Sequence, residues 1–324
     1  MAHNDRPEYG IDPQLRPLLA VLPTVDITDP AAFREARRAA TARLGAGGDQ
    51  RRDIATADHT VPGEGTGQPD VPVRVYTPAA EAPAPRPVLV WFHGGGYVFG
   101  GIEDTDKSAA AIARETDCVV VSVGYRLAPE HAYPAALDDA HTALTWVSAN
   151  TERLGADPDR IAVGGVSAGA GLAAALALFV RDKGGPRLVF QLLDNPMIDD
   201  RVDSPSARAF TDTPLWTGPQ AVLGWRYYLG GETGDSPDEI PPYAAAARAT
   251  ELEGLPPTYI AANEFDPLRD EDIDYGMRLL AAGVQVELHV RPGTFHGSNF
   301  LPGAEVSERA RADMYAALRR AFAR

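Results

Sequence analysis

From about residue 71 onward, short runs rich in Val, Ile and Leu alternate with longer segments of helical periodicity. The apolar runs at 88–92, 118–123, 161–164, 188–193, 258–262 and 284–290 predict strands. The segments at 108–115, 137–154, 168–183, 271–282 and 305–322 predict helices. Strands that read as continuous apolar runs are covered on both faces, which fits a mostly parallel sheet with helices on either side. Upstream, 53–60 and 71–77 flank a stretch rich in Gly and Pro and predict an antiparallel strand pair. The first fifty residues predict amphipathic helices, one opened by Pro13-Gln14-Leu15 and another by Asp29-Pro30-Ala31, where proline suits the first turn. In the last strand, Val284, Val286, Leu288 and Val290 are expected inward, with Gln285, Glu287 and His289 outward.

One stretch breaks the rhythm. Residues 197–250 are rich in Pro, Asp and aromatics, among them Phe210, Trp216, Trp225, Tyr227 and Tyr228, and lie between two core strands. An insertion at the C-terminal ends of strands sits where open α/β sheets bind ligands. The expected organisation is therefore N-terminal helices at 1–50 contributing to a cap, a catalytic core at 51–196, a cap insertion at 197–250, and the rest of the core at 251–324.

Composition narrows the function classes. A net charge of −15, with Lys107 and Lys183 the only lysines, argues against nucleic acid or an anionic membrane as partner, because phosphate binding relies on clustered cations. The longest apolar stretch, 172–180, is too short to span a bilayer, and the N-terminal residues carry no apolar signal region. A cytoplasmic protein is expected. The single cysteine, Cys118, opens a strand run and is expected to be a small buried hydrophobe.

The chemistry lies in three short segments. Gly165-Val166-Ser167-Ala168-Gly169 follows an apolar strand and precedes an alanine-rich helix, the context of a nucleophile elbow with Ser167 at its tip. His93-Gly94-Gly95-Gly96 follows the 88–92 strand. Its glycines let the backbone turn amides inward, so Gly95, Gly96 and Ala168 are the expected oxyanion donors, with His93 and Gly94 supporting the loop. Phe295-His296-Gly297 follows the last strand and supplies the base. His3, His59, His131, His141 and His289 have structural explanations. The carboxylate is expected from Asn263-Glu264-Phe265-Asp266-Pro267, where Asp266 follows a strand and Pro267 fixes the turn. Asp270, Glu264 and Asp272 compete, the latter two suiting a helix start or the surface. The order Ser, Asp, His is that of α/β-hydrolases. This set implies serine-dependent acyl transfer, most simply ester hydrolysis.

Val88-Leu-Val-Trp-Phe-His-Gly-Gly-Gly-Tyr, Tyr125-Arg-Leu-Ala-Pro-Glu-His with Pro134-Ala-Ala-Leu-Asp-Asp-Ala, Gly165-Val-Ser-Ala-Gly and Asp266-Pro-Leu-Arg-Asp together resemble the bacterial hormone-sensitive-lipase-like carboxylesterases. The resemblance runs from about residue 71 to the end. It implies an α/β-hydrolase fold with an eight-stranded, mostly parallel sheet, a helical cap and no cofactor or metal. It further implies hydrolysis of short- to medium-chain esters, small-molecule ester substrates, and homodimers formed through the last strand. Two positions depart from the family pattern. Val166 stands where members carry an acid whose hydrogen bonds help hold neighbouring loops, and Ser298-Asn299 separate His296-Gly297 from the aromatic Phe300. The family also reaches plant gibberellin receptors, which lack a working histidine. His296 argues against such a binding-only role, while transfer of the acyl group to an acceptor other than water stays open.

Overall fold

The computed structural model describes residues 9–44, 53–63, 67–231 and 240–323. Its strands are β1 (Ile54–Val61), β2 (Val71–Pro78), β3 (Arg86–Phe92), β4 (Val119–Val123), β5 (Ala156–Val166), β6 (Phe190–Asp194), β7 (Thr258–Phe265) and β8 (Val286–Phe295). They form one eight-stranded sheet in the order β1-β2-β4-β3-β5-β6-β7-β8. β1 pairs with β2, and β2 with β4, antiparallel; the other neighbours are parallel. The helices are α1 (Pro30–Leu44), α2 (Ile102–Thr116), α3 (Ala135–Ala149), α4 (Thr151–Leu154), α5 (Ala168–Lys183), α6 (Pro205–Ala209), α7 (Gly218–Tyr228), α8 (Arg269–Ala281) and α9 (Glu305–Phe322). None of the described helices is long and apolar enough to cross a membrane.

The two faces of the sheet make two cores. Val88, Val90 and Phe92 of β3 join the cluster beneath α3, α5 and α8, whereas Leu89 and Trp91 join the one beneath α2 and α9. β3 and β4 are therefore buried along their whole length, which is why both read as unbroken apolar runs. The one hydroxyl within β4, Ser122, shares a 2.8 Å hydrogen bond with Thr105 of α2. Cys118 is buried just before β4, and burial pushes its thiol up to about 12, so it packs as an apolar side chain.

Between β6 and β7 the chain leaves the sheet to form α6 and α7. The hydroxyls of Ser204 and Thr217 accept from Ala207 N–H and Gln220 N–H, capping both helices. Trp225 and Tyr228 of α7 are buried against Tyr97, whose ring stacks on Tyr228 at 3.9 Å. The N-terminal segment crosses the same side: Gln220 Nε2 donates to the Val25 carbonyl, Tyr227 OH to the Thr28 carbonyl at 3.0 Å, and Arg34 Nη1 to the Val98 carbonyl at 2.9 Å. Pro30 opens α1 as expected, and Asp29 Oδ1 accepts from Ala32 N–H. The segment opened by Pro13-Gln14-Leu15 is a short 3-10 turn, Arg16–Val21, not an α-helix. His3, residues 45–52 of the expected N-terminal and core units, and residues 232–239 of the expected insertion lie outside the described residues.

Several elements differ from expectation. The 137–154 helix is interrupted at Asn150, which is non-helical and whose Nδ2 donates to the Trp146 carbonyl. β8 continues to Phe295 through Pro292-Gly293, because Glu264 accepts the Gly293 N–H at 2.7 Å and pairing with β7 resumes at Phe265↔Phe295. The inward and outward faces of β8 are not divided as expected. Val290 is exposed, while His289 lies on the Tyr259 ring and bonds Glu287 at 2.9 Å, and Arg291 is buried against Asp313 of α9 at 3.0 Å. Helices flank both sides of this strand, so neither side is simply solvated.

The Tyr125-Arg126 segment and the start of α3 are joined by an ion pair. Asp139, almost wholly buried, accepts from Arg126 N–H at 2.8 Å and from its guanidinium at 2.8–3.0 Å. Asp139→Ala leaves these donors without their acceptor and lowers unfolding free energy by about 3–5 kcal/mol, measured by urea denaturation. A change below about 1 kcal/mol contradicts this anchoring role.

Candidate active site

Ser167 sits between β5 and α5 with φ 58° and ψ −124°, a backbone conformation costly for a residue with a Cβ. The surroundings hold it there. Its N–H donates to the Asp194 carbonyl at 2.9 Å, and its carbonyl accepts from Gly171 N–H at 3.0 Å and Met197 N–H at 3.1 Å. The flanking glycines allow a very close approach: a Cβ on Gly169 would stand 2.2 Å from the Phe92 carbonyl oxygen, and one on Gly165 2.4 Å from Gly169. The strain sets the hydroxyl at the C-terminal end of the sheet, the observed consequence of the Gly-Val-Ser-Ala-Gly spacing.

His296 follows β8. Its Nε2 is 2.9 Å from Ser167 Oγ and its Nδ1 is 2.7 Å from Asp266 Oδ2. Asp266 is fully buried after β7, and its other oxygen accepts from Leu268 N–H at 3.0 Å. The carboxylate thus accepts the Nδ1 proton, which leaves the Nε2 lone pair facing the hydroxyl. Ser167, Asp266 and His296, more than a hundred residues apart at the extremes, form one line of hydrogen bonds. The competing acids lie elsewhere: Glu264 accepts from Gly293 N–H, and Asp270 accepts from Ser206 N–H and pairs with Arg269.

The His93–Gly96 segment lies beside this line, with the ideal Cβ of Gly94 3.3 Å from Ser167 Cβ. Among the described residues, the N–H groups of Gly95 and Gly96 donate to no protein acceptor. Ala168 is the first residue of α5, where N–H groups have no intrahelical partner. His93 is buried. Its ring stacks on Tyr125 at 4.1 Å, its Nδ1–H donates to the Gly94 carbonyl at 2.8 Å, and its own carbonyl accepts from Tyr125 OH at 2.7 Å. Burial pushes the His93 imidazole below its ordinary range, so it remains neutral and stiffens the loop.

A largely apolar cleft of about 390 Å³ opens at Ser167. Its walls include Val166, Leu215, Trp216, Phe300, Leu301 and Phe99, with Leu22, Pro23 and Val25 from the N-terminal segment. Trp216 packs so tightly on the glycine loop that a Cβ at Gly96 would stand 2.4 Å from its ring, and its centroid is 6.1 Å from that of His296. Of the aromatics marked in the 197–250 insertion, Trp216 alone lines the cleft. Phe210 packs on Tyr9 and Phe265, while Trp225, Tyr227 and Tyr228 lie away from it. Arg37 and Asp104, paired at 2.6 Å, also line the cleft and carried no signal in the sequence.

Behind the line lies a group of buried acids, of which only Asp272 stood among the competing carboxylates in the sequence. Asp194 ends β6, and Glu271 and Asp272 open α8. Glu271 accepts from Ile198 N–H at 3.1 Å. Asp272, expected at a helix start or surface, does lie in the first turn but is fully buried, with neither oxygen bonded among the described residues. Burial, reinforced by neighbouring carboxyls, raises both Glu271 and Asp272 well above the ordinary carboxylate range. Among the described residues no group of His, Cys, Asp and Glu could hold a metal ion.

The model of a family with the alpha/beta hydrolase fold matches residues 89–299. Carboxylesterase NlhH of Mycobacterium tuberculosis is 41% identical over 319 residues, covering 96% of each chain. Esterase LipI of the same species is 44% identical over 225 residues, 69% of each chain. Among solved structures, a bacterial heroin esterase superposes with a TM-score of 0.92 at 45% identity, covering 97% of this chain and 98% of that one. Esterase LipW from Mycobacterium marinum superposes with a TM-score of 0.85 at 43% identity over 98% of both chains. With the sheet order, the strand-to-helix turn at Ser167 and relatives matched almost end to end, the chain belongs to the hormone-sensitive-lipase-like carboxylesterases, carboxylic ester hydrolases of the α/β-hydrolase superfamily.

Proposed function

We propose that the protein hydrolyses short- to medium-chain carboxylic esters through an acyl-enzyme on Ser167, with His296 as general base and acid and Asp266 as the carboxylate that orients it. The observation that carries this reading is the unbroken run of bonds from Asp266 Oδ2 to His296 to Ser167 Oγ, 2.7 and 2.9 Å, at the floor of an apolar cleft. In the first half-reaction Ser167 Oγ attacks the ester carbonyl and His296 Nε2 takes its proton. The carbonyl oxygen becomes an oxyanion facing the amides of Gly95, Gly96 and Ala168, where fixed donors contribute about 3–4 kcal/mol each to the transition state. His296 then protonates the departing alcohol. Water attacks the acyl-serine by the same path, returning the proton to Ser167 and releasing the acid.

The insertion at 197–250 and the N-terminal segment act in this scheme as a cap. Trp216 from the one and Leu22, Pro23 and Val25 from the other close the cleft over the acyl carbon, limiting water to the amount the second step consumes. A cleft of this volume with an apolar lining suits acyl chains of modest length. We also infer that two copies pair through β8, the outermost strand on its side of the sheet.

Ser167→Ala is expected to lower kcat on a nitrophenyl ester by at least about 10³-fold while the circular dichroism and unfolding midpoint stay native. A folded mutant with wild-type turnover rejects Ser167 as nucleophile. Across a series of nitrophenyl esters from acetate to palmitate, kcat/KM is expected to peak at short to medium length; a maximum at palmitate contradicts the proposed substrate range. Light scattering at micromolar protein is expected to give a dimer mass, and a monomer mass there contradicts pairing through β8.

A further inference from the structure

Val166 supplies no carboxylate beside the nucleophile, and Asn299 follows the base. Asp194, at the end of β6, touches both halves of the catalytic line. Its main-chain carbonyl accepts the Ser167 N–H at 2.9 Å. Its carboxylate accepts from Asn195 Nδ2 at 2.8 Å and, from 105 residues away, from the Asn299 side-chain amide. Both Asp194 and Asn299 are buried. Asn299 lies in the single 3-10 turn, Ser298–Phe300, that directly follows His296-Gly297, and its carbonyl accepts from Arg311 Nη1 of α9.

We propose that Asp194 and Asn299 form a positioning pair that fixes the loop carrying His296 against the turn carrying Ser167. This inference rests on the serine–histidine reading above. The geometry gives the reason. β8 ends at Phe295, so the imidazole is carried just beyond the ladder, and the turn that follows it must be tied back. Asn263 Nδ2 donates to the Phe295 carbonyl at 3.0 Å, which fixes the residue before the histidine. The Asp194–Asn299 bond fixes the residues after it. Because the same Asp194 also holds the Ser167 amide, a displacement on one side is resisted by the other. A carboxylate deprived of its buried amide partner would be left with part of its hydrogen-bonding unmet, so the pair resists separation.

Charged and titratable groups from several elements face Asp194: Arg291 and His296 from β8 and the loop after it, Asp266 and Tyr259 from β7 and its loop, and Asp272 from α8. Arg291 is itself held by Tyr259 OH at 2.8 Å and by Asp313 at 3.0 Å. Burial pushes Asp194 up to about 6, against the opposing pull of Arg291, Asn299 and His296. Above that pH the carboxylate is ionised and accepts the Asn299 amide at full strength.

The test is steady-state kinetics of Asn299→Ala and Asp194→Asn, beside Ser167→Ala. Asn299→Ala is expected to lose about 10- to 100-fold in kcat with KM changed less than about twofold, because the reacting groups are misplaced while the cleft is kept. Asp194→Asn retains an acceptor for the Asn299 amide and removes the charge. It is expected to retain more turnover than Asn299→Ala, because the amide at 299 keeps a partner. A folded Asn299→Ala with wild-type kcat overturns the proposal, and so does a folded Asp194→Asn that loses as much turnover as Asn299→Ala. If one variant does not fold, the other decides; if neither folds, the contact is a scaffold bond and the positioning role is overturned. A Ser167→Ala enzyme that still turns over removes the serine reading itself, whereas an inactive one beside a fully active Asn299→Ala removes the pair alone.

Discussion

The bond between His296 Nδ1 and Asp266 is the contact on which the site depends. A histidine on a loop beyond a strand can rotate and can carry its proton on either nitrogen. A fully buried carboxylate 2.7 Å away removes both freedoms, because it can only accept. The free lone pair is thereby aimed at Ser167 Oγ, and everything else serves to keep the three groups at that separation. The parallel sheet brings β5, β7 and β8 side by side with their C-terminal ends on one edge, so the loops bearing serine, aspartate and histidine meet there without long reaches.

The serine is held by close backbone packing. Gly165 and Gly169 let α5 start against the Phe92 and His93 carbonyls, and those residues lead directly into the glycine loop. The turn at Ser167 and the His93–Gly96 loop are therefore one packed unit, stiffened by the neutral His93 ring stacked on Tyr125. The proposed cap meets the same unit through Trp216, which rests on Gly96.

Much of this was legible in the chain because it is local. Gly-Val-Ser-Ala-Gly between an apolar run and an alanine-rich helix specifies a strained turn from five consecutive residues, and Asp266-Pro267 specifies a strand end. The bounds of α5 and α9 followed from helical periodicity alone. What was not legible depends on pairing between distant segments. Nothing near Asp194 announces Asn299, and a carboxylate in the first turn of a helix, as at Asp272, is ordinarily solvated rather than buried. Pro292-Gly293 reads as the end of a strand, yet Glu264 supplies the missing acceptor and β8 runs on to the histidine. Of the insertion's aromatics, composition could not say that Trp216 faces the cleft while Phe210 and Trp225 pack elsewhere.

The most direct measurement is mass-spectrometric peptide mapping after inactivation by a fluorophosphonate, which reacts with an activated serine as an ester does but stops at the covalent stage. The account predicts one adduct per chain, on the peptide containing Ser167, appearing in step with loss of turnover. Full inactivation with the adduct on another residue, or stoichiometric labelling of Ser167 with turnover intact, would contradict it.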